Sequence, residues 1–335
     1  MVNIIQTINY IESYEHAKKI CDLIVDSGLD GIRVNLCKYN RNKVQMVIKN
    51  YISMFERNGI RDIYLDVPYP IDKARIYGVE NGRKIIRINS EYIIIQGKNN
   101  EIVSDNNLNK IYINCNEFQI DREIIFYGDG EGAFRINEIR DGMIFCTAMN
   151  DFYIINGKSI SCGYFKQDKA FLCDIMKSIG DMNVSLLIPF VENENQINSI
   201  RSMAQDNVSL IAKIETELGL KNIEDIANSV EGILIGRGDL ALHSDYKELL
   251  PNLQSAINKV QKSKIIFCTG ILQNFQDIYV PNRAELFDLL LIKQLYAKEI
   301  ILSGSSDFNS GNICNLYLYN LASIKRKVDF INRVW

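Results

Sequence analysis

Short runs of β-branched and aliphatic residues recur along the chain, each followed by a stretch in which apolar positions repeat every three or four residues. The runs lie at Ile4–Ile8, Gly31–Leu36, Ile63–Val67, Ser185–Val191, Leu210–Glu215, Gly232–Ile235, Lys264–Thr269 and Glu299–Ser303. Helical periodicity fills intervals such as Tyr14–Ser27, Asn42–Arg57, Gln167–Ile179, Asn195–Ala204 and Leu249–Gln261. The runs are nearly continuous in apolar residues rather than alternating, as expected of parallel strands covered on both faces. These strand–helix units predict an α/β fold of the TIM (βα)8 barrel type. A doubly wound open sheet is the alternative, because strand order is not legible in a sequence.

Between the third and fourth runs the pattern changes. From about Lys73 to Gly163 the helical period disappears, and short Ile/Tyr/Phe runs take over at Lys84–Ile88, Tyr92–Ile95, Lys110–Asn114, Glu123–Tyr127 and Gly142–Thr147. Asn81-Gly82, Asp129-Gly130, Asp141-Gly142 and Asn156-Gly157 supply turns between them. The expected organisation is a barrel from residues 1–72 and 164–335, with a small all-β domain, 73–163, inserted after the third strand. Such a loop opens at the C-terminal face of a barrel, where active sites form, so the insert is placed to act as a lid.

Composition narrows the function classes. In 335 residues the net charge is −3, with both signs interspersed, which gives no surface for nucleic acid. No window is long and apolar enough to span a bilayer, and no basic leader precedes the first strand. The 8 cysteines include no Cys-x-x-Cys pair and there are only 2 histidines, which argues against zinc and against a disulfide framework and suits a reducing cytoplasm.

The chemistry concentrates in Leu210–Leu220 (LIAKIETELGL) and in Gly236-Arg237-Gly238-Asp239-Leu240. Lys213 and Glu215 alternate at a strand end and so share a face, and Asp239 follows the next strand after a Gly-Arg-Gly turn. Two carboxylates at adjacent strand ends can hold one hard cation, Mg2+ or Mn2+, that keeps its other positions for water and substrate. The plain alternative is a solvated Lys213–Glu215 ion pair.

Several segments together carry a family resemblance: Gln6-Thr7-Ile8, Arg33-Val34-Asn35-Leu36, Leu65-Asp66, Asp129-Gly130, Lys213-Ile214-Glu215, Gly236–Leu240, Cys268-Thr269, Pro281-Asn282-Arg283-Ala284-Glu285 and Leu302-Ser303-Gly304. In this order the chain resembles pyruvate kinase over nearly its whole length. The resemblance implies phosphoryl transfer between phosphoenolpyruvate and a nucleoside diphosphate. Glu215 and Asp239 would then hold Mg2+, Lys213 would face the transferring phosphoryl oxygens, and Arg33 would clamp phosphate with its planar fork. Backbone N–H groups at Arg237, Gly238 and Asp239 would receive the substrate carboxylate if a helix starts there, the Arg237 side chain would bind substrate or brace the turn, and Thr269 would sit beside the enolate carbon. A potassium site is usual in the family, and Asn35 and Asp66 match two of its ligands. Lys73 and Lys158 match the nucleotide side.

Departures accompany the resemblance. Cys37 and Val67 stand where a serine and a threonine are expected beside potassium, a thiol being a poor ligand for a hard cation, and Lys38 is a candidate internal cation in its place. Pro68–Arg75 replaces a glycine-containing segment, Glu192 replaces an arginine and Ser305 a glutamate. The family's C-terminal regulatory domain has no counterpart before Trp335, which suggests loss of that control and leaves barrel faces for a homodimer. The rival functions are a metal-dependent lyase or decarboxylase acting through an oxoacid enolate, and a non-catalytic metabolite-binding relative. His16 and His243 read as helix-end or surface residues, and Cys268 as a packed thiol.

Overall fold

The computed structural model describes all residues except 1, 9, 40, 69–73, 80–81, 98–108, 115–119, 121–122, 129, 162–168, 245–246, 262–263, 277–279 and 304–312. It divides into two compact units, Met1–Tyr69 with Asp168–Trp335, and Pro70–Gln167. The boundaries expected at 73 and 163 fall in stretches outside the described residues.

In the larger unit eight strands form a closed barrel: β1 (Asn3–Ile8), β2 (Gly31–Asn35), β3 (Asp62–Asp66), β4 (Val184–Ile188), β5 (Val208–Ile214), β6 (Gly232–Gly236), β7 (Ile265–Cys268) and β8 (Glu299–Leu302). Each pairs in parallel with its neighbour in sequence, and β8 returns to β1 through Asn3↔Glu299, Ile4↔Ile300, Ile5↔Ile301 and Gln6↔Leu302. That last pairing decides the barrel over the open sheet.

The unbroken apolar runs follow from this closure. Ile5, Tyr64, Leu187, Ile211, Leu234, Ile266 and Ile301 fill the inside, while Ile4, Ile32, Leu65, Leu186, Leu210 and Ile233 join the core shared with the helices. Alternate residues point to opposite faces of a strand, so both sets must be apolar.

Helix Tyr14–Ser27 begins where the Ser13 side chain accepts from the His16 N–H and stops at Gly28, whose φ of 73° is left-handed. The stretch expected as one helix, Asn42–Arg57, contains a π-helical turn at Ile48–Ile52. Helix Arg283–Gln294 escaped the periodicity reading because it is apolar on two sides, with Leu289 and Ile292 buried and Phe287, Leu290 and Leu291 exposed. Its start is local chemistry: the Asn282 side chain accepts from the Glu285 N–H at 3.0 Å, and Glu285 accepts from the Asn282 N–H at 3.1 Å, a capping box.

Among its described residues the smaller unit is built of β-strands. Its seven-stranded sheet runs in the order Ile160–Ser161, Ile124–Tyr127, Gly132–Arg140, Met143–Ala148, Glu91–Gly97, Lys110–Asn114 and Arg75–Tyr77, and Phe152–Ile155 pairs separately with Arg83–Ile86. Asp141 and Gly142, with φ of 52° and 72°, form the tight turn of one hairpin. Phe134 packs edge-on against both Tyr92 and Phe152 in its core. Strand Gly132–Arg140 is not legible in sequence, since its second half, Arg135–Arg140, sets only Ile136 and Ile139 among charged and polar residues and is largely solvent-facing. Among the described residues no helix is long and apolar enough to cross a membrane.

Candidate active site

Arg33, Asp66, Lys213 and Glu215, among the charged residues singled out in sequence, meet at the C-terminal ends of the barrel strands. Lys213 Nζ lies 2.8 Å from Glu215 Oε1 and 3.5 Å from Asp66 Oδ1. Arg33 grips Asp66 Oδ2 and also donates to Thr7 Oγ1 at 3.2 Å. Strand register accounts for part of the meeting: Thr7 is level with Arg33, and Asp66 is level with Leu187, itself level with Ile211 two residues before Lys213.

The Lys213–Glu215 pair exists but is not solvated, with Lys213 8% and Glu215 2% exposed. Isolated buried ions are costly, so the arrangement persists only because Arg33, Asp66, Lys213 and Glu215 alternate in sign. The Arg33 Nε is nevertheless buried without an acceptor.

These neighbours set the protonation states. Burial alone would raise the Asp66 carboxyl, but Lys213 and Arg33 outweigh it and hold the pKa below its usual 3.8. Burial alone would lower Lys213, but Asp66 and Glu215 outweigh it and raise the ammonium above its usual 10.5. Lys213 is therefore a fixed cation, not a base, at neutral pH.

A depressed Asp66 stabilises the fold above 3.8 and loses that contribution only as pH falls through its still lower folded value. A raised Lys213 stabilises below 10.5 and loses its contribution as pH rises through its higher folded value. The gap in melting temperature between wild type and Asp66→Asn is thus expected to stay constant from mildly acid to mildly alkaline pH and to shrink only in strong acid. A gap closing near neutrality would contradict the assigned charges.

Glu215 is held by two backbone features. The Phe190 N–H donates to Oε2 at 3.0 Å, from a residue whose φ of 52° is left-handed. At Gly236 any Cβ would fall 2.6 Å from Glu215 Cγ, so only glycine lets the carboxylate lie there. A short helix, Arg237–Leu242, starts at once after β6, so the first-turn N–H groups at Arg237, Gly238 and Asp239 have no intrahelical acceptor, and Asp239 is half-buried.

The donor set suits a hard divalent cation. A carboxylate offers about four acceptor positions, and at Glu215 Lys213 and the Phe190 N–H each occupy one. Among the described residues no group of three or more His, Cys, Asp or Glu could hold a metal. A hard cation held by two carboxylates keeps most of its positions for water and substrate, as Mg2+ prefers. The potassium candidates are otherwise engaged: Asp66 with two cationic side chains, and Asn35 with the Cys37 N–H at 3.1 Å, capping the turn Leu36–Lys38. The Cys37 thiol faces the Asp66 carbonyl at 3.9 Å.

Thr269 follows β7 with a φ of 72°, a strained conformation for a β-branched residue. Arg237 donates from Nε to the Cys268 carbonyl at 3.0 Å, from Nη2 to the Thr269 carbonyl and from Nη1 to Asp288. Nothing in the sequence assigns a role to Asp288, Thr7 or Phe190. Asp288 lies 51 residues from Arg237, beyond any local spacing signal.

The remaining candidates have structural surroundings. Glu192 accepts from the Thr216 hydroxyl at 3.0 Å, beside the cap that starts helix Glu217–Lys221, which gives the reversed charge a packing role. His16 is buried and its Nδ1 accepts from the Glu12 N–H at 3.3 Å; the ring of His243 lies edge-on to Phe190 at 5.7 Å. Cys268 is buried and its thiol raised by burial. Lys158 pairs with Glu131 at 2.5 Å within the β unit, and Lys73 lies outside the described residues.

Comparison with known proteins extends the picture. The family profile "Pyruvate kinase, barrel domain" matches residues 2–307. The pyruvate kinase of Thermoplasma acidophilum is 25% identical over 277 residues, covering 81% of this chain and 48% of that protein. That of Mycoplasma genitalium is 25% identical over 343 residues, covering 94% of this chain and 65% of its own length. The chain thus spans about half to two thirds of these relatives. The crystal structure of a Cryptosporidium parvum pyruvate kinase superposes with a TM-score of 0.66 at 19% identity, covering 98% of this chain and 69% of that one, a likeness of fold.

Proposed function

Because the chain belongs to the pyruvate kinase family, we propose that it is a Mg2+-dependent cytoplasmic phosphotransferase working between phosphoenolpyruvate, or a close analogue, and a nucleoside diphosphate. In that reaction the bond from phosphorus to the enol oxygen breaks as a terminal phosphate oxygen of the diphosphate bonds to phosphorus. The enolate left behind takes up a proton at carbon to become the oxoacid.

The supporting observation is a permanent ammonium, Lys213, sandwiched between Asp66 and Glu215 and backed by Arg33 with a buried, unsatisfied Nε donor. A phosphoryl oxygen would supply the missing acceptor. Phosphoryl transfer demands little covalent help, and fixed positive charge at the equatorial oxygens is what its transition state needs. Glu215 and Asp239 would hold the divalent cation, which supplies charge stabilisation for the developing enolate. The first-turn N–H groups at Arg237, Gly238 and Asp239 would orient the substrate carboxylate. Thr269 would place its hydroxyl beside the enolate carbon.

Potassium is not needed in this reading, because the Asp66 carboxylate already faces two built-in cations. The test is pyruvate formation from phosphoenolpyruvate and ADP, with Mg2+, Mn2+ or chelator, in potassium or tetramethylammonium salts. Turnover that requires the divalent ion and is equal in both salts is expected. Absence of turnover with every nucleoside diphosphate would remove the kinase claim.

A further inference from the structure

The loop after β7 is held in a conformation its residues do not favour. Thr269, Gly270 and Leu272 all have left-handed φ, at 72°, 74° and 49°. Threonine is β-branched, and such a residue in that region is an outlier that surrounding contacts must impose. The contacts are present. Arg237 spans the Cys268 and Thr269 carbonyls with Nε and Nη2, and its remaining arm reaches Asp288. Further along, Glu285 Oε1 accepts from the Asn274 N–H at 2.7 Å and the Phe275 N–H at 3.3 Å. Ser303 Oγ accepts from the Gly270 N–H at 3.1 Å.

Glu285 and Asp288 are three residues apart on helix Arg283–Gln294, and therefore neighbours on one face. One helix thus secures both ends of the loop, directly through Glu285 and through Arg237 at the Thr269 end. Its capping box fixes where the helix begins, and so where both carboxylates stand.

We propose that Arg237 and Asp288 are a positioning pair that pins the strained Thr269 turn and so fixes the Thr269 hydroxyl, and that the Arg237 guanidinium does not grip substrate. The planar fork is essential, because three acceptors in different directions are met at once. A lysine keeps the charge and cannot span them. The pair acts through Thr269, which ties its kinetic consequence to the phosphotransferase reading.

The test uses the full chain with Arg237→Lys, Asp288→Asn, their combination, and each in a Thr269→Ala background. Misplacement of about 1 Å at a reacting centre can cost on the order of 100-fold in rate. Each single variant is expected to lower kcat by about 10- to 100-fold while the KM for phosphoenolpyruvate changes little. The combination is expected to be no worse than the poorer single, and the losses should largely vanish once Thr269 is alanine. Backbone amides of 268–272 should exchange hydrogen faster in both singles. A raised KM with unchanged kcat in Arg237→Lys, or an Asp288→Asn variant equal to wild type in rate and exchange, would overturn the pair's role. Should wild type show no turnover, exchange decides alone: faster exchange upholds the bracing while the reaction assignment fails, and unchanged exchange removes the bracing as well. Asp288→Asn keeps the shape of the residue and serves if Arg237→Lys does not fold.

Discussion

Lys213→Met is expected to lower kcat for phosphoryl transfer by about 10²- to 10³-fold, the usual loss when one preorganised charge-stabilising group is removed. Methionine keeps the length and apolar stem while deleting the ammonium that sits between Asp66 and Glu215. Arg33 still neutralises Asp66, and the Phe190 N–H still binds Glu215, so a residual rate remains. The fold should weaken, because breaking a buried ion pair commonly costs about 3–5 kcal/mol. Activity is therefore measured well below the lowered melting temperature. Divalent-ion affinity is expected to hold or rise, since Glu215 loses its competing cation. Oxaloacetate decarboxylation separates the rival lyase function, as it needs a stabilised enolate but no phosphoryl clamp. Decarboxylation that survives while phosphoryl transfer vanishes would confine Lys213 to the phosphoryl step and favour the lyase as the retained function; a kcat within a few-fold of wild type removes Lys213 from the reaction.

Gly236→Ala tests the metal half of the site through a residue that is not a ligand. The backbone there has a φ of −84°, which alanine tolerates, so any effect is steric. The added methyl would lie 2.6 Å from Glu215 Cγ and 2.9 Å from Oε1, and the carboxylate must move. We expect Mn2+ affinity, read by paramagnetic resonance, to fall about 10- to 100-fold, as when the support of a metal ligand is lost. The melting temperature should drop in proportion to an overpacking cost of about 1–3 kcal/mol. Part of the turnover should return at saturating metal. Unchanged Mn2+ affinity beside a lowered melting temperature would show that Glu215 does not hold the ion.

Two motifs show why some site residues are legible in sequence and others are not. Lys213 and Glu215 were placed together because a strand alternates faces, and the structure puts them 2.8 Å apart. Asn282 to Glu285 stood out as a family segment, and the structure gives it a local cause: a helix cap whose glutamate also ties the loop after Thr269. Asp66, by contrast, was legible only as a potassium ligand. Its ion pairs with Arg33 and Lys213 come from strands β2 and β5, and no local spacing announces them. Glu192 reads in sequence only as a reversed charge, and its bond to Thr216 gives it a packing role.

The sequence by itself determined the eight buried strands, the all-β insert and the side chains at the strand ends. Those features depend on residues two to four positions apart, where periodicity and capping operate. Only the tertiary structure decided that β8 closes on β1, that four charges of alternating sign share one buried site, and that Arg237 answers to Asp288. Each depends on strand register and barrel closure, which bring together residues far apart in the chain.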